Sequence, residues 1–557
     1  MNSLVITLIF GSALVLGYMV YSRLVEKWLG VEADEPSPAH THRDGVDFEP
    51  ARHWTVLFGH HFASIAGAAP VLGPVIACMM WGWLPALLWI VIGGIFFGSV
   101  HDFCSLVISA RNEGRSISDV AEDLLGKPVK IFFQIFVWLA LILVVAVFAA
   151  AAGKTLAGNP EVVLPTFGLI PVALVVGVMM YRMEMNILVC SLIGVALLAG
   201  LIVAGYYLPI DIRTWGVENP TSWWIVILLI YAGVASVMPV PILLQPRDHL
   251  AGSMLFFGLF FGFIGILWCR PDMNCPPTIA FSSARGNLWP MLFVVIACGA
   301  LSGFHSLVAS GTTSKQLPDM KSARPVGYGG MIMESGLSLL AVICVAAGLY
   351  WNQAPESGGP VYQTLMKEGG WIKTFGTGYG NMTKFIFGPL GALIGITMLK
   401  TFIMTTLDSA TRITRFITTE LFAGSMKITP LKNRYAATVV VIVLAGFLAL
   451  GNWKAIWPIF GASNQLIAAI VLMIISMYLM VRNRFSLFAL VPAVLIFGTT
   501  ITALFFQVQG FFFPAEHGKI NYLLGTIGSF LLVLGVLVLV CCVRVMIKQK
   551  NRSQMIS

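Results

Sequence analysis

The sequence predicts an all-α polytopic membrane protein, and three observations predict it. Of 557 residues, 58% are hydrophobic and only 11% are charged, with a mean hydropathy of +0.86. A soluble domain carries about 25% charged residues, and a chain this apolar could not cover its own surface in water. Apolar runs of about 20 residues, enough to cross a bilayer, recur along the whole chain. Lys and Arg sit in the short loops between those runs, abundant on one side and sparse on the other.

Read in order, the runs give about fifteen spans. They lie near 3–22, 55–79, 82–109, 129–153, 163–181, 186–207, 223–245, 251–269, 289–312, 327–350, 381–409, 435–451, 457–481, 487–507 and 521–545. Alternate loops, among them 23–54, 110–130, 315–324, 412–434 and the C-terminal tail, hold most of the 34 Lys and Arg. That asymmetry places the C-terminus in the cytoplasm and the N-terminus outside. The net charge of +9 is therefore an orientation signal and not a nucleic-acid-binding face. The first run, Leu4 to Tyr21, lacks the basic residues that precede a signal's apolar core, so it reads as a span. Most of the nine cysteines lie in apolar runs, as small packing residues do. Cys269 and Cys275 bracket the polar segment CRPDMNC; they form a disulfide if that loop meets an oxidising compartment, and are free thiols otherwise.

Two spans carry helix breakers in their middle. The second reads FGHHFASIAGAAPVLGPVIA, with Gly67, Pro70, Gly73 and Pro74. The seventh reads LLIYAGVASVMPVPILLQP, with Gly233, Pro239 and Pro241. A proline removes a backbone donor and clashes with the preceding turn. In hydrocarbon the freed carbonyls need partners, so a break belongs in the protein interior. Either span alone reads equally as an ordinary proline kink. The pair says more: five spans apart, the two helices run in opposite directions, as in two inverted five-helix repeats with unwound first helices. The repeats then occupy 55–207 and 223–410. An N-terminal helix and loop (1–54) and C-terminal accessory helices (411–557) are additions.

Ionisable groups inside spans are costly and mark function by default. His60 and His61 lie in the second span, His101 and Asp102 in the third, His305 in the ninth, Glu334 in the tenth and Lys400 in the eleventh. Each stands about six to nine residues from the cytoplasmic end, so all of them are expected in one polar layer just below the midplane. The plainer readings are a histidine satisfied at a helix contact, a Glu334–Lys400 ion pair, and a local Asp408–Arg412 salt bridge four residues apart. Arg247 and Asp248 read as gate or anchor residues. In GFHSLVASGTTSK, Ser306, Ser310 and Thr313 share a helical face. Hydroxyls beside unwound carbonyls suit sodium, with Ser310 and Thr313 as ligands; packing at a small-residue interface is the alternative. Proton coupling through the His, Glu and Lys groups is the rival, because His titrates near neutrality. Substrate is expected where the two breaks meet, near His60, His61, Ser64, Gly67, Ala235, Ser236 and Glu334. No GxxxxGK[ST] loop or HExxH motif is present, so neither an ATP motor nor a zinc hydrolase is read here, and no cofactor beyond a coupling ion is expected.

The strings FGHHFASIAGAAPVLGP, ILLQPRDHL, CGALSGFHSLVASGTTSK, GYGGMIMES, LDSATRITRF and WPIFGASNQLIAA resemble the carbon-starvation protein A (CstA) family, over about residues 55–475. The resemblance implies an inner-membrane transporter of the amino acid–polyamine–organocation superfamily, with its LeuT-like five-plus-five fold. It also implies uptake of peptides, or in relatives of pyruvate, when carbon is scarce; the chain is read accordingly as an ion-coupled symporter working by alternating access, and not as an enzyme, since the adjacent histidines point about 100° apart and chelate poorly. Its partners would be that substrate and the lipid bilayer. A membrane nutrient sensor without net transport is the alternative. The chain is shorter than the longer family members and lacks their larger insertion before the eleventh span, which leaves any role of that insertion in doubt here.

Overall fold

The computed structural model describes residues 1–32, 34–240, 242–353, 358–451, 453–514 and 520–556. In chain order the helices used below are α1 (Ser3–Leu29), α2 (Trp54–Ile65), α3 (Ala69–Trp81), α4 (Trp83–Arg111), α5 (Ile117–Leu125), α6 (Lys127–Gly158), α7 (Pro160–Tyr181) and α8 (Ile187–Tyr207). They continue with α9 (Pro220–Val237), α10 (Leu244–Cys269), α11 (Leu288–Val295), α12 (residues 303–316), α13 (Met320–Gly348), α14 (Gly370–Phe387) and α15 (Gly391–Thr418). The last four are α16 (Arg434–Leu450), α17 (Trp453–Val481), α18 (Leu487–Phe512) and α19 (Tyr522–Ile547).

Among the described residues, 12 helical stretches are long and apolar enough to cross a membrane, and 13 if the bent pair α2–α3 counts as one span. The sequence expects about fifteen. The difference lies in α11 and α12, which are separate short pieces, and in α16, a shorter apolar helix. The eleventh span also begins later than its apolar run suggests. Gly388, at φ +53°, and Pro389 end α14, and α15 starts at Gly391.

The first expected break is present. α2 stops at Ile65, Ala66 leaves the helical region, and α3 starts at Ala69, bent by 45° from α2. Gly67 lies in the gap, Pro70 opens α3, and Gly73 and Pro74 lie within it. The second expected break is absent. α9 runs unbroken through Gly233 to Val237, and Pro239 stands in the connection to α10. Pro241 lies outside the described residues. Pro239 lies between two spans and interrupts neither. The true second interruption is at residues 296–302 (IACGALS), between α11 and α12. No proline marks it. Gly299, Ser302 and Gly303 are its sequence signal, and it falls inside the run 289–312 that reads as continuous.

The two broken helices meet. A Cβ on Gly73 would lie 2.4 Å from the Val295 carbonyl, so α3 passes the second break at a distance only glycine allows. α2 packs as tightly on α10, where a Cβ on Gly252 would lie 2.8 Å from the Cα of Gly59. Gly252→Leu is expected to force α2 and α10 apart, at a cost of about 1–3 kcal/mol. A thermal melt in detergent reads this, and an unchanged midpoint would contradict the packing.

Candidate functional site

Each interruption leaves carbonyls without their i+4 donor, and neighbouring helices supply hydroxyls. Pro74 has no N–H to offer the Pro70 carbonyl, and the Ser338 hydroxyl donates to that oxygen at 2.7 Å. The Ser64 carbonyl, whose helix ends one residue later, accepts from the Thr406 hydroxyl at 3.0 Å. In the second break the Gly299 carbonyl accepts from Ser335 at 3.1 Å. Ser335 and Ser338 lie three residues apart on α13, so one helix face caps both interruptions. On the other side, the Asn464 side chain of α17 accepts the Phe304 N–H at 2.7 Å and donates to the Ser302 hydroxyl at 2.9 Å.

Two buried polar networks flank this crossing. Asp102 joins two histidines of the first: its Oδ1 accepts from His101 Nδ1 at 2.8 Å and its Oδ2 from His305 Nδ1 at 2.9 Å. His305 Nε2 then faces Glu334 Oε2 at 3.2 Å, without hydrogen-bond geometry. His61 Nδ1 is hydrogen-bonded to the Thr313 hydroxyl at 2.9 Å. His61, His101, Asp102, His305 and Glu334 are each 0% exposed. The Nε2 atoms of all three histidines and both Glu334 oxygens have no hydrogen-bond partner among the described residues.

The second network begins one residue away, because adjacent helical side chains point about 100° apart. His60 Nδ1 donates to Asp248 Oδ2 at 2.6 Å, and its Nε2 lies 3.3 Å from the Thr312 hydroxyl. Arg247 binds Asp248 Oδ1 through Nε at 3.0 Å and through a terminal nitrogen at 2.5 Å. It also donates to the Tyr231 hydroxyl at 2.8 Å and ion-pairs with Asp408 of α15. Arg412 reaches Asp47 at 2.8 Å, the Ala235 carbonyl at 2.9 Å, and the Met238 carbonyl.

Several pairings therefore differ from those the sequence suggests. Asp408 and Arg412 do not bind each other locally; each pairs across helices, with Arg247 and with Asp47. Glu334 and Lys400 do not pair either: Lys400 donates to the Ala152 carbonyl of α6 at 2.8 Å. Because α15 starts at Gly391, Lys400 is its tenth residue, in the first half of the helix. Ala235 and Ser236 are not beside the first break. They sit near the end of α9, where Ser236 bonds the Gly233 carbonyl at 2.9 Å and approaches Thr438 at 3.4 Å. Ser64 does face the interior, with its hydroxyl 2.9 Å from that of Ser409. Ser306 donates to Gly303 O at 2.7 Å. Ser310 donates to Ser306 O at 2.7 Å and accepts the Ile117 N–H of α5 at 3.2 Å, so Ser310 and Thr313 serve different neighbours.

Cys269 and Cys275 are both free thiols. Cys275 instead packs with its sulfur 3.4 Å from that of Cys78, while Cys269 points to the Met382 carbonyl. Cys298, Ser335, Ser338, Thr406 and Asn464 were not singled out from the sequence. The only signal for them is that they are polar or small residues within apolar runs. A cavity of about 490 Å³ opens beside α11, lined by Ile76, Arg285, Met291, Val295, Trp457 and Gln507; neither Gly67 nor Gly299 is part of its wall.

Interrupted helices crossing at a sealed polar centre, within a bundle of membrane-length helices, define a multi-pass membrane transporter. The family profile of carbon starvation protein CstA matches residues 2–357 and 357–503, and the chain belongs to that family. The peptide transporter CstA of Bacillus subtilis is 29% identical over 98% of this chain and 97% of its own length. The pyruvate/proton symporter BtsT of Escherichia coli is 31% identical over 92% of this chain and 84% of its own. Among solved structures, the manganese transporter of Eremococcus coleocola superposes with a TM-score of 0.53 at 10% identity, covering 91% of this chain and 99% of that one. MhsT in complex with L-phenylalanine gives 0.50 at 11% identity, over 90% and 98%. Both structures are LeuT-fold transporters. These relatives are named as transporters and lend no support to a sensor without transport.

Arg247 is the cation between two buried carboxylates. Arg247→Ala is expected to cost about 3–5 kcal/mol by leaving Asp248 and Asp408 uncompensated. The readout is the yield and melting temperature of folded protein in detergent, and wild-type values in both would rule out the pairing.

Proposed function

We propose that this protein is a secondary active transporter of the bacterial inner membrane. In this reading it is an ion-coupled symporter that imports peptides or a small carboxylate such as pyruvate. The observation that carries this reading is the crossing of two interrupted helices around polar groups closed off from water. Such a centre is reached only when the surrounding halves move, which is alternating access. Substrate sits at the first break, near Ser64 and Gly67, with His60, His61 and Glu334 on the neighbouring faces. The start of α3 presents its positive dipole end to a carboxylate there, which pyruvate and a peptide both carry. A peptide's amino group takes a buried acid, Glu334 or Asp102. The coupling ion is a proton or a sodium ion, the latter at Ser310 or Thr313.

The same reading makes the core a five-plus-five inverted repeat, with boundaries shifted from those expected. The first repeat comprises α2–α3, α4, α6, α9 and α10, with the α7–α8 hairpin inserted. The second comprises α11–α12, α13, α15, α16 and α17, with α14 inserted. Matching contacts support it. The first helix of each repeat packs closely on its last: Gly59 on Gly252, and Gly303 on the backbone of Asn464 and Ala468. The third members, α6 and α15, pack together through Ala152 and Lys400. Counting α2–α3, α11–α12 and α16 as spans restores about fifteen crossings and leaves the N-terminus outside and the C-terminus in the cytoplasm.

The experiment is uptake of labelled pyruvate and dipeptides into proteoliposomes, with and without sodium and with and without an uncoupler. Accumulation that collapses on dissipating one ion gradient is expected, and binding without accumulation would overturn the proposal. Gly67→Leu, whose Cβ meets the Thr406 hydroxyl at 2.8 Å and the Phe148 ring at 3.1 Å, is expected to reduce uptake more than about tenfold while the protein remains inserted. Normal uptake by this variant would remove the first break from the substrate path.

A further inference from the structure

We propose that Cys298, His305 and Glu334 form a binding site for one borderline divalent cation, with Zn²⁺ as the first candidate. The thiol, the imidazole Nε2 and the carboxylate each offer an atom within 4.8 Å of the others, and all three residues are buried. They come from three places: the second break, α12 and α13.

Three features point to a cation. First, His305 Nδ1 is committed to Asp102 at 2.9 Å, which leaves Nε2, on the side of the ring near Glu334, with a free lone pair to offer a cation. A carboxylate behind the ring of a metal-binding histidine is the usual second shell: it fixes the tautomer and raises the basicity of the ligand nitrogen. Second, neither Glu334 oxygen has a hydrogen-bond partner among the described residues, although the residue is 0% exposed. A buried carboxylate left this way is costly unless a cation or proton joins it. Third, Nε2 and Oε2 are 3.2 Å apart yet out of line for a hydrogen bond. A shared proton would draw the oxygen onto the nitrogen's axis. Two ligands of one tetrahedral ion, with bonds near 2.0–2.1 Å, stand about 3.3 Å apart and off that axis.

The charges also balance. Zn²⁺ displaces the Cys298 thiol proton, which leaves to bulk water, so that one thiolate, one carboxylate and a neutral imidazole meet a double positive charge. Thiolate, imidazole and carboxylate together select zinc or a similar borderline ion over calcium or magnesium. Asn464 Nδ2, at 3.7 Å, and the Ser302 hydroxyl, at 3.5 Å, already hold the Cys298 sulfur in position. A bound ion would tie the second break to α13 and so hinder any movement there. Only this last consequence rests on the transport reading.

The test is Zn²⁺ and Co²⁺ titration of the purified, chelator-stripped protein. One equivalent of Zn²⁺ is expected. Co²⁺ should give the absorption of a tetrahedral site together with a thiolate-to-metal charge-transfer band. Cys298→Ser and Glu334→Gln are each expected to weaken Zn²⁺ binding at least tenfold, while Cys275→Ser, which alters the Cys78–Cys275 thiol pair, leaves the affinity unchanged. Absence of the charge-transfer band in the wild-type protein would overturn the site whether or not the variants fold. So would equal affinities in all four proteins, or loss of binding only in Cys275→Ser. A proton on Glu334 would then be the remaining occupant. In proteoliposomes, Zn²⁺ is expected to inhibit wild-type uptake at least tenfold more strongly than that of Cys298→Ser. Metal binding without any uptake would sink the transport reading and leave the site standing.

Discussion

A helix interrupted inside a bilayer exposes carbonyls that no water reaches, and each must be given a donor by the protein itself. Here the donors are hydroxyls from adjacent helices: Ser338 for Pro70, Thr406 for Ser64 and Ser335 for Gly299. Because Ser335 and Ser338 share one face of α13, that helix must lie against both breaks at once. Asn464 then fixes the start of α12 from the opposite side. The position of the whole polar centre follows from these few bonds, since His305 is only two residues beyond Gly303 and Glu334 is next to Ser335.

The adjacent pair His60–His61 is the point where two networks divide. His61 turns toward Thr313 and the His101–Asp102–His305–Glu334 chain, and His60 toward Asp248 and the Arg247–Asp408 cluster. A rotation of α2 would therefore be felt by both. The second cluster is densely ion-paired and holds α10 to α15. In the first, the Nε2 atoms of His61, His101 and His305 and both Glu334 oxygens lack a hydrogen-bond partner among the described residues, and in the second both Asp408 oxygens do, although Arg247 ion-pairs with that carboxylate. The difference is one of charge: Arg247 compensates the carboxylates of the second cluster, whereas among the described residues no Lys or Arg pairs with Glu334.

Much of the membrane architecture was legible in the chain. Long apolar runs correspond to α1, α4, α6, α7, α8, α18 and α19, whose positions follow from length and hydropathy alone. The first break was legible because Gly67, Pro70, Gly73 and Pro74 cluster in the middle of one span, although the same residues also suit a proline kink. The second was misplaced for an equally local reason. Pro239 and Pro241 look like breakers in the sequence, yet α9 runs unbroken to Val237, whereas the real gap at 296–302 holds no proline and falls in an apolar run that also suits a continuous helix. Gly388–Pro389 likewise ends α14 inside a run that hydropathy leaves undivided, so that Lys400 falls in the first half of α15 and not near its end.

What the sequence by itself determined was the solvent, the helical class, the family and the set of buried ionisable residues, because these depend on composition and on short strings. Which of those residues meet was decided only by the tertiary structure. Asp408 passes over Arg412 for Arg247, and Glu334 lies beside His305 while Lys400 bonds the Ala152 carbonyl, because helix-to-helix distances and rotations set those neighbours, and no spacing along the chain encodes them.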